Sequence, residues 1–232
     1  MRKWIISCGL LLFFILTGCS EMTEEDYYNM QTGRIFKEEP KMEKLNIHNY
    51  IGACLQDLKE LGIDVTAQAE EIENNILQMP SDMLADWEKE EIAGMMFDIM
   101  KSEQVYSFDV EADAPGDMYR PFLEKIEALT KGDLAFRDIR EVVDEKTFEA
   151  GEGDCSLSFS CNGKSYEYTL RFEYDWFDTE ILSYLNAILE DEQPENALYA
   201  GSDGWQNCIV FYNTGEWARQ FNEKMDLQIE KP

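Results

Sequence analysis

Histidine is nearly absent: His48 is the only one in 232 residues. Zinc sites built on two or more imidazoles are therefore excluded, and any Ser-His-Asp or Cys-His nucleophile system would have to use His48. That residue sits between Ile47 and Asn49 in a helical pattern, away from any cysteine or carboxylate cluster, and reads as an ordinary surface position. No GxSxG, HExxH, P-loop or GxGxxG segment occurs. No CxxC pair occurs either, which removes zinc knuckles and thioredoxin-type redox motifs. Basic residues are scarce, with 20 Lys and Arg against 48 Asp and Glu and a formal net charge of −28. Such a field repels phosphate backbones and anionic lipid, so nucleic acid is not an expected partner. No cofactor is expected. Apolar residues are not scarce: 44% hydrophobic and 12% aromatic content supports a packed core rather than a disordered acidic tail.

The chain opens Met1-Arg2-Lys3 and then runs apolar from Trp4 to Leu16. This is the layout of a secretory leader, a positive start and an apolar stretch too short to span a membrane comfortably. It ends Leu16-Thr17-Gly18-Cys19. These residues resemble the lipobox of bacterial lipoprotein precursors, in which a Leu, a small residue, a Gly or Ala and a Cys stand in succession. The resemblance implies cleavage between Gly18 and Cys19 and a diacylglyceryl group on the Cys19 thiol. One acyl chain holds a protein only marginally, whereas two on one residue anchor it stably. The expected setting is a membrane reached through the Cys19 lipid, with the protein facing outside the cytoplasm, at the cell surface or in the periplasm. Residues 1–18 are thus a signal peptide, and Cys8 leaves with it. Residues 19–44 are polar and aperiodic and read as a flexible tether.

Residues 45–101 read as helical. Ile47, Ile51, Cys54, Leu58 and Leu61 follow helical spacing, and Gly62 stops the run. A second helix is expected over Ala67–Leu77, ended by Pro80. A third should be capped by Ser81 or Asp82 and carry Leu84, Trp87, Ile92, Met95, Met96 and Ile99. Methionine at helical spacing reads as core.

Residues 102–230 read as α+β, an antiparallel sheet of hairpins with helices packed on one face, and 45–230 can be one compact unit. Val105–Val110 is an expected strand. Pro115-Gly116 is a turn and Asp117 opens a helix. Leu134–Val143 is extended, and a loop rich in Gly and Glu follows. Asn162-Gly163 then predicts a tight hairpin, because both positions need φ > 0. Counting outward pairs Phe159 with Tyr166, Leu157 with Tyr168 and Cys155 with Leu170 on one face. Asp178 is an expected cap for a helix with Ile181, Leu182, Leu185, Ile188 and Leu189 along one stripe. A strand near Leu198–Gly201, a turn at Ser202-Asp203-Gly204 and a strand over Trp205–Tyr212 come next. Asn213 with Glu216 resembles a capping box for the last helix.

Cys155 and Cys161 lie on one strand about 20 Å apart at ~3.3 Å per residue, so they cannot bridge each other. With Cys54 and Cys208 they read as small buried residues, disulfides being the alternative in an exported chain. Asp109, Glu111, Asp113 and Asp117 cluster near a strand end and offer oxygens to calcium. They fail as an EF-hand loop, because Ala114 stands where Gly is needed and Arg120 where Glu is needed. The remaining candidates are aromatic: Trp176 with Asp175 after a strand, and Trp205 with Asp203 at a turn, each placed to meet a ligand or to pack across a sheet edge. The favoured function is a non-catalytic binding module with a protein or glycan ligand. The alternatives are a carboxylate-based hydrolase of envelope or dietary polysaccharide and an acidic inhibitor of a basic toxin.

Overall fold

In the computed structural model, which describes residues 44–111, 116–193 and 195–232, the first apolar stripe folds into helix α1 (Lys44–Glu60). Ile47, Ile51, Cys54, Leu58 and Leu61 are all buried along it. Gly62 ends the helix at φ +81°, where its N–H reaches Lys59 O and the Ile63 N–H reaches Leu58 O, closing the carbonyl end without a side chain. The leader, the Gly18–Cys19 junction and tether residues 19–43 lie outside the described residues, as do Asp113 and Pro115, whereas Lys44, expected in the tether, begins α1.

Helix α2 (Ala69–Leu77) follows, and then the expected third helix is broken in two. These are α3 (Ser81–Asp86) and α4 (Lys89–Ile99), with Trp87 extended at ψ 141° between them. The break turns Trp87 into the core. Neither Ser81 nor Asp82 caps α3; Pro80 holds that place with no side-chain bond. The helix restarts on a capping box between Glu88 and Glu91, in which Glu91 Oε2 accepts from Glu88 N at 2.6 Å.

Strand β1 (Val105–Asp109) leads to α5 (Tyr119–Leu129). Asp117 does not cap α5. A carboxylate from strand β2 (Phe136–Val142) does so instead, with Glu141 Oε2 accepting from Tyr119 N at 3.1 Å. The loop expected after β2 contains a helix, α6 (Glu145–Ala150). Asp144 Oδ1 caps it by accepting from Lys146 N and Thr147 N, and Gly151 closes it at φ +78°. Strands β3 (Glu152–Cys161) and β4 (Lys164–Glu173) form the hairpin in the expected register: Phe159 pairs with Tyr166, Leu157 with Tyr168 and Cys155 with Leu170. Helix α7 (Ile181–Glu192), strands β5 (Asn196–Ser202) and β6 (Asn207–Thr214), and α8 (Gly215–Lys224) complete the order. The cap of α8 is Thr214, one residue past the expected Asn213; its Oγ1 accepts from Trp217 N, while Asn213 Oδ1 accepts from Thr214 N.

The fold is α+β, with two antiparallel three-stranded sheets ordered β1-β6-β5 and β2-β3-β4. The second sheet is covered on one face by α5 and α7 and shows Ser156, Ser158 and Ser160 on the other. The first sheet is covered on both faces. Its Ile209 and Phe211 join a core with α1, α2, α4 and α8, whereas Cys208 and Val210 join a second core with α5, α7 and the hairpin. Alternation along β6 thus feeds two cores, which explains its unbroken apolar run from Cys208 to Phe211. Aromatic rings fill both: Phe97 of α4 meets Phe211 at 5.3 Å, and Phe177 meets Tyr119 at 4.7 Å and Phe122 at 4.8 Å.

Candidate functional site

The turn joining β5 to β6 is built on one buried carboxylate. Asp203 Oδ1 accepts from Trp205 N at 2.9 Å and from Asn207 N at 3.2 Å, and its Oδ2 accepts from Asn207 Nδ2 at 2.8 Å. Ser202 Oγ accepts from Gly204 N, and Gly204 stands at φ +84°. With its backbone held from below, Trp205 projects into solvent and is 70% exposed. Its Nε1 donates to Glu91 Oε1 at 2.9 Å, so the carboxylate that starts α4 also fixes the indole edge and leaves a ring face open.

Trp205 forms one lip of a groove of about 440 Å³. Val110, Phe177, Leu182, Ala200 and Cys208 make the apolar floor, and Ser202, Gln206, Asn207 and Glu230 bring polar groups to the rim. The C-terminal segment supplies one wall through a two-bond bridge, with Glu230 N donating to Ala200 O at 2.9 Å and Ala200 N donating to Glu230 O at 2.8 Å. Gly201 permits that approach: a β-carbon there would stand 2.6 Å from Gln228 O. The opposite wall is tied by Phe177 N to Val110 O and by Val110 N to Gln206 O.

The other sequence candidates fall around this groove unevenly. Trp176 is 43% exposed and outside the lining, but its backbone bridges Glu111, whose Oε2 accepts from Gln206 Nε2 at 2.7 Å. Glu111 is thus linked to Trp176 through backbone and to Gln206, the residue after Trp205, through its side chain. Asp175 is half-buried, and Asp203 faces inward as the anchor of its turn. Asp109 Oδ1 accepts from Glu111 N, and Asp117 pairs with Arg120 at 3.5 Å. Among the described residues no group of three metal-binding side chains converges. His48 is exposed and paired with Glu73.

Carboxylates dominate the surroundings. Burial, with Asp203 and Asp109 close by, raises the Asp98 carboxyl above its usual range. Among the described residues no Lys or Arg lines the groove; neighbouring Lys231 is committed to Glu190 at 2.6 Å and Lys89 to Asp226 at 3.7 Å. Burial pushes the Cys208 thiol up to about 12, which keeps it protonated and a poor nucleophile. An open indole face with carboxylates around it, over an apolar floor, suits a cation carried on an apolar stem. Sequence reading missed Glu91, because its link to Trp205 spans 114 positions. It also missed the C-terminal wall, whose signal was the alternation of Met225, Leu227 and Ile229. Among the described residues no helix is long and apolar enough to cross a membrane. In comparisons with known proteins, no family model, no curated protein and no solved structure matches this chain.

Proposed function

We propose that this chain is a lipid-anchored, extracytoplasmic binding module whose Trp205 groove receives a cationic segment of a partner protein. The observation that carries the reading is the exposed indole of Trp205, held by Glu91 at the lip of a groove whose described lining includes Glu230 and has no cation of its own. The lipobox resemblance supports the anchor, and the net charge of −28 supports the sign of the partner by steering basic surfaces inward. The indole supplies the short-range contact. Central aromatics at real interfaces cost about 2 kcal/mol or more when removed.

The test is equilibrium binding of the full-length protein to paired peptides, one alternating Lys and Leu and the other Glu and Leu. The Lys series should bind with an affinity that falls as salt rises, and Trp205→Ala should weaken it by roughly tenfold or more. Equal affinity for the Glu series, or unchanged binding by Trp205→Ala, would refute the assignment.

A further inference from the structure

A second concavity, at the other end of β6, has a different chemistry. It holds about 270 Å³, just under the roughly 300–1,000 Å³ of sites for drug-sized ligands. Its lining joins six separate segments: the turn after α1, the loop before β1, the end of α5 and the residues after it, the start of β5, the end of β6, and α8. Polar side chains dominate it. Tyr212 Oη donates to Asp133 Oδ2 at 2.7 Å, which orients that carboxylate and leaves Oδ1 without a hydrogen bond among the described residues. Asn213 Oδ1 is taken by Thr214 N, so its Nδ2 donors point elsewhere. Lys131, at φ +54° after the end of α5, has no ion-pair partner among the described residues. One wall is aromatic: Trp217, fixed by its Nε1 donating to Leu61 O at 2.8 Å and packed on Phe211 with centroids 5.4 Å apart.

We infer that this pocket binds one ring of a neutral saccharide. A hydroxylated ring needs acceptors and donors together, and the lining carries both: the Asp133 carboxylate, the Asn213 amide and the Lys131 ammonium. Its apolar C–H face needs an aromatic surface, which Trp217 offers. An anionic ligand would meet Asp133 and Glu103 in the same lining, and a purely apolar one would leave Asp133 Oδ1 unpaired. The volume admits a single ring. The Trp205 groove differs in its larger volume and its apolar floor, which suit a peptide.

The test is titration of the full-length protein with glucose, galactose, mannose, xylose and N-acetylglucosamine, followed by NMR at the Trp217 indole N–H. At least one sugar should give a saturable shift, and Asp133→Asn and Asn213→Ala should each weaken it about tenfold or more. Asn213 is half-exposed, so that variant decides the matter should Asp133→Asn lose its fold. The basic peptide should not displace the sugar, because the two sites are separate. No saturable shift with any of the five, unchanged affinity in a folded variant, or displacement by the peptide would each overturn the assignment.

Discussion

Gly94 of α4 lies directly against Asp203: a β-carbon placed on Gly94 would sit 2.2 Å from Asp203 Cβ and 2.8 Å from its Cα. Contacts that short do not occur, so either α4 or the turn that carries Trp205 has to move. Gly94→Ala should therefore destabilise the fold by about 1–3 kcal/mol through overpacking, despite a helix-propensity gain of about 1 kcal/mol. Thermal unfolding gives the first quantity and Trp205 fluorescence the displacement of the turn. An unchanged melting temperature with unchanged emission would contradict the close packing of α4 against the turn.

Asp203→Ala attacks the same turn from the other side. It strips the acceptors from Trp205 N, Asn207 N and Asn207 Nδ2 in a buried place. Unsatisfied groups of this kind cost about 1–3 kcal/mol, so stability should fall and peptide binding with it. Asp203→Asn keeps the Oδ1 acceptor and should fall less. The reverse order in urea midpoints would contradict the role given to Oδ1.

The two aromatic neighbours of the groove separate packing from binding. Phe177 is 8% exposed and touches the rings of Phe108, Tyr119 and Phe122, so Phe177→Ala should cost about 3–5 kcal/mol. Trp205, 70% exposed, should cost little stability when truncated while abolishing most peptide affinity. A melting temperature lowered as much by Trp205→Ala as by Phe177→Ala would assign Trp205 to the core.

All four described thiols are free and buried. Burial pushes Cys54 and Cys161 up to about 11, and Cys155 and Cys208 up to about 12. Native protein at pH 8 should resist alkylation at all four, and unfolded protein should react at each, as mass spectrometry of the peptides will show. A Cys155–Cys161 disulfide would contradict the hairpin, since the two lie six residues apart along β3, about 20 Å at ~3.3 Å per residue.

Glu141 caps α5 through one oxygen and buries the other without a partner. Burial raises its carboxyl above the usual range, against the lowering pull of the Tyr119 and Met118 N–H groups. The folded state therefore holds this proton more tightly than the unfolded chain. The stabilisation is complete below the unfolded value of about 4.3 and is lost as pH rises through the raised folded value. Glu141→Gln should flatten that decline between pH 4 and pH 7, measured by denaturant midpoints against the parent. Parallel curves would remove Glu141 from the pH dependence.

The proposed anchor rests on Cys19, and Cys19→Ser should remove label when cells are fed a fatty-acid analogue. Equal label in variant and parent would end the anchor proposal.

What the sequence determined by itself is what depends on near neighbours. The hairpin register follows from Asn162-Gly163 and the alternation beside it, because φ > 0 at both turn residues and a one-sided apolar face admit one pairing. The stripes of α1 and α7 follow from helical spacing in the same way. The break at Trp87 and the transfer of the α5 cap to Glu141 were not legible, because one buries a ring in the tertiary core and the other takes a carboxylate 22 residues away, whereas the α8 cap moved by a single residue, to Thr214, through local bonds. Tertiary packing alone decided that β6 sits between two cores, since Val105 must find Phe211 across the sheet before either face exists. It alone joined Glu91 to Trp205 and Asp133 to Tyr212. Side chains so far apart in the chain meet only after helices have covered both faces of the sheet, and no local pattern encodes which polar groups are then left facing one another.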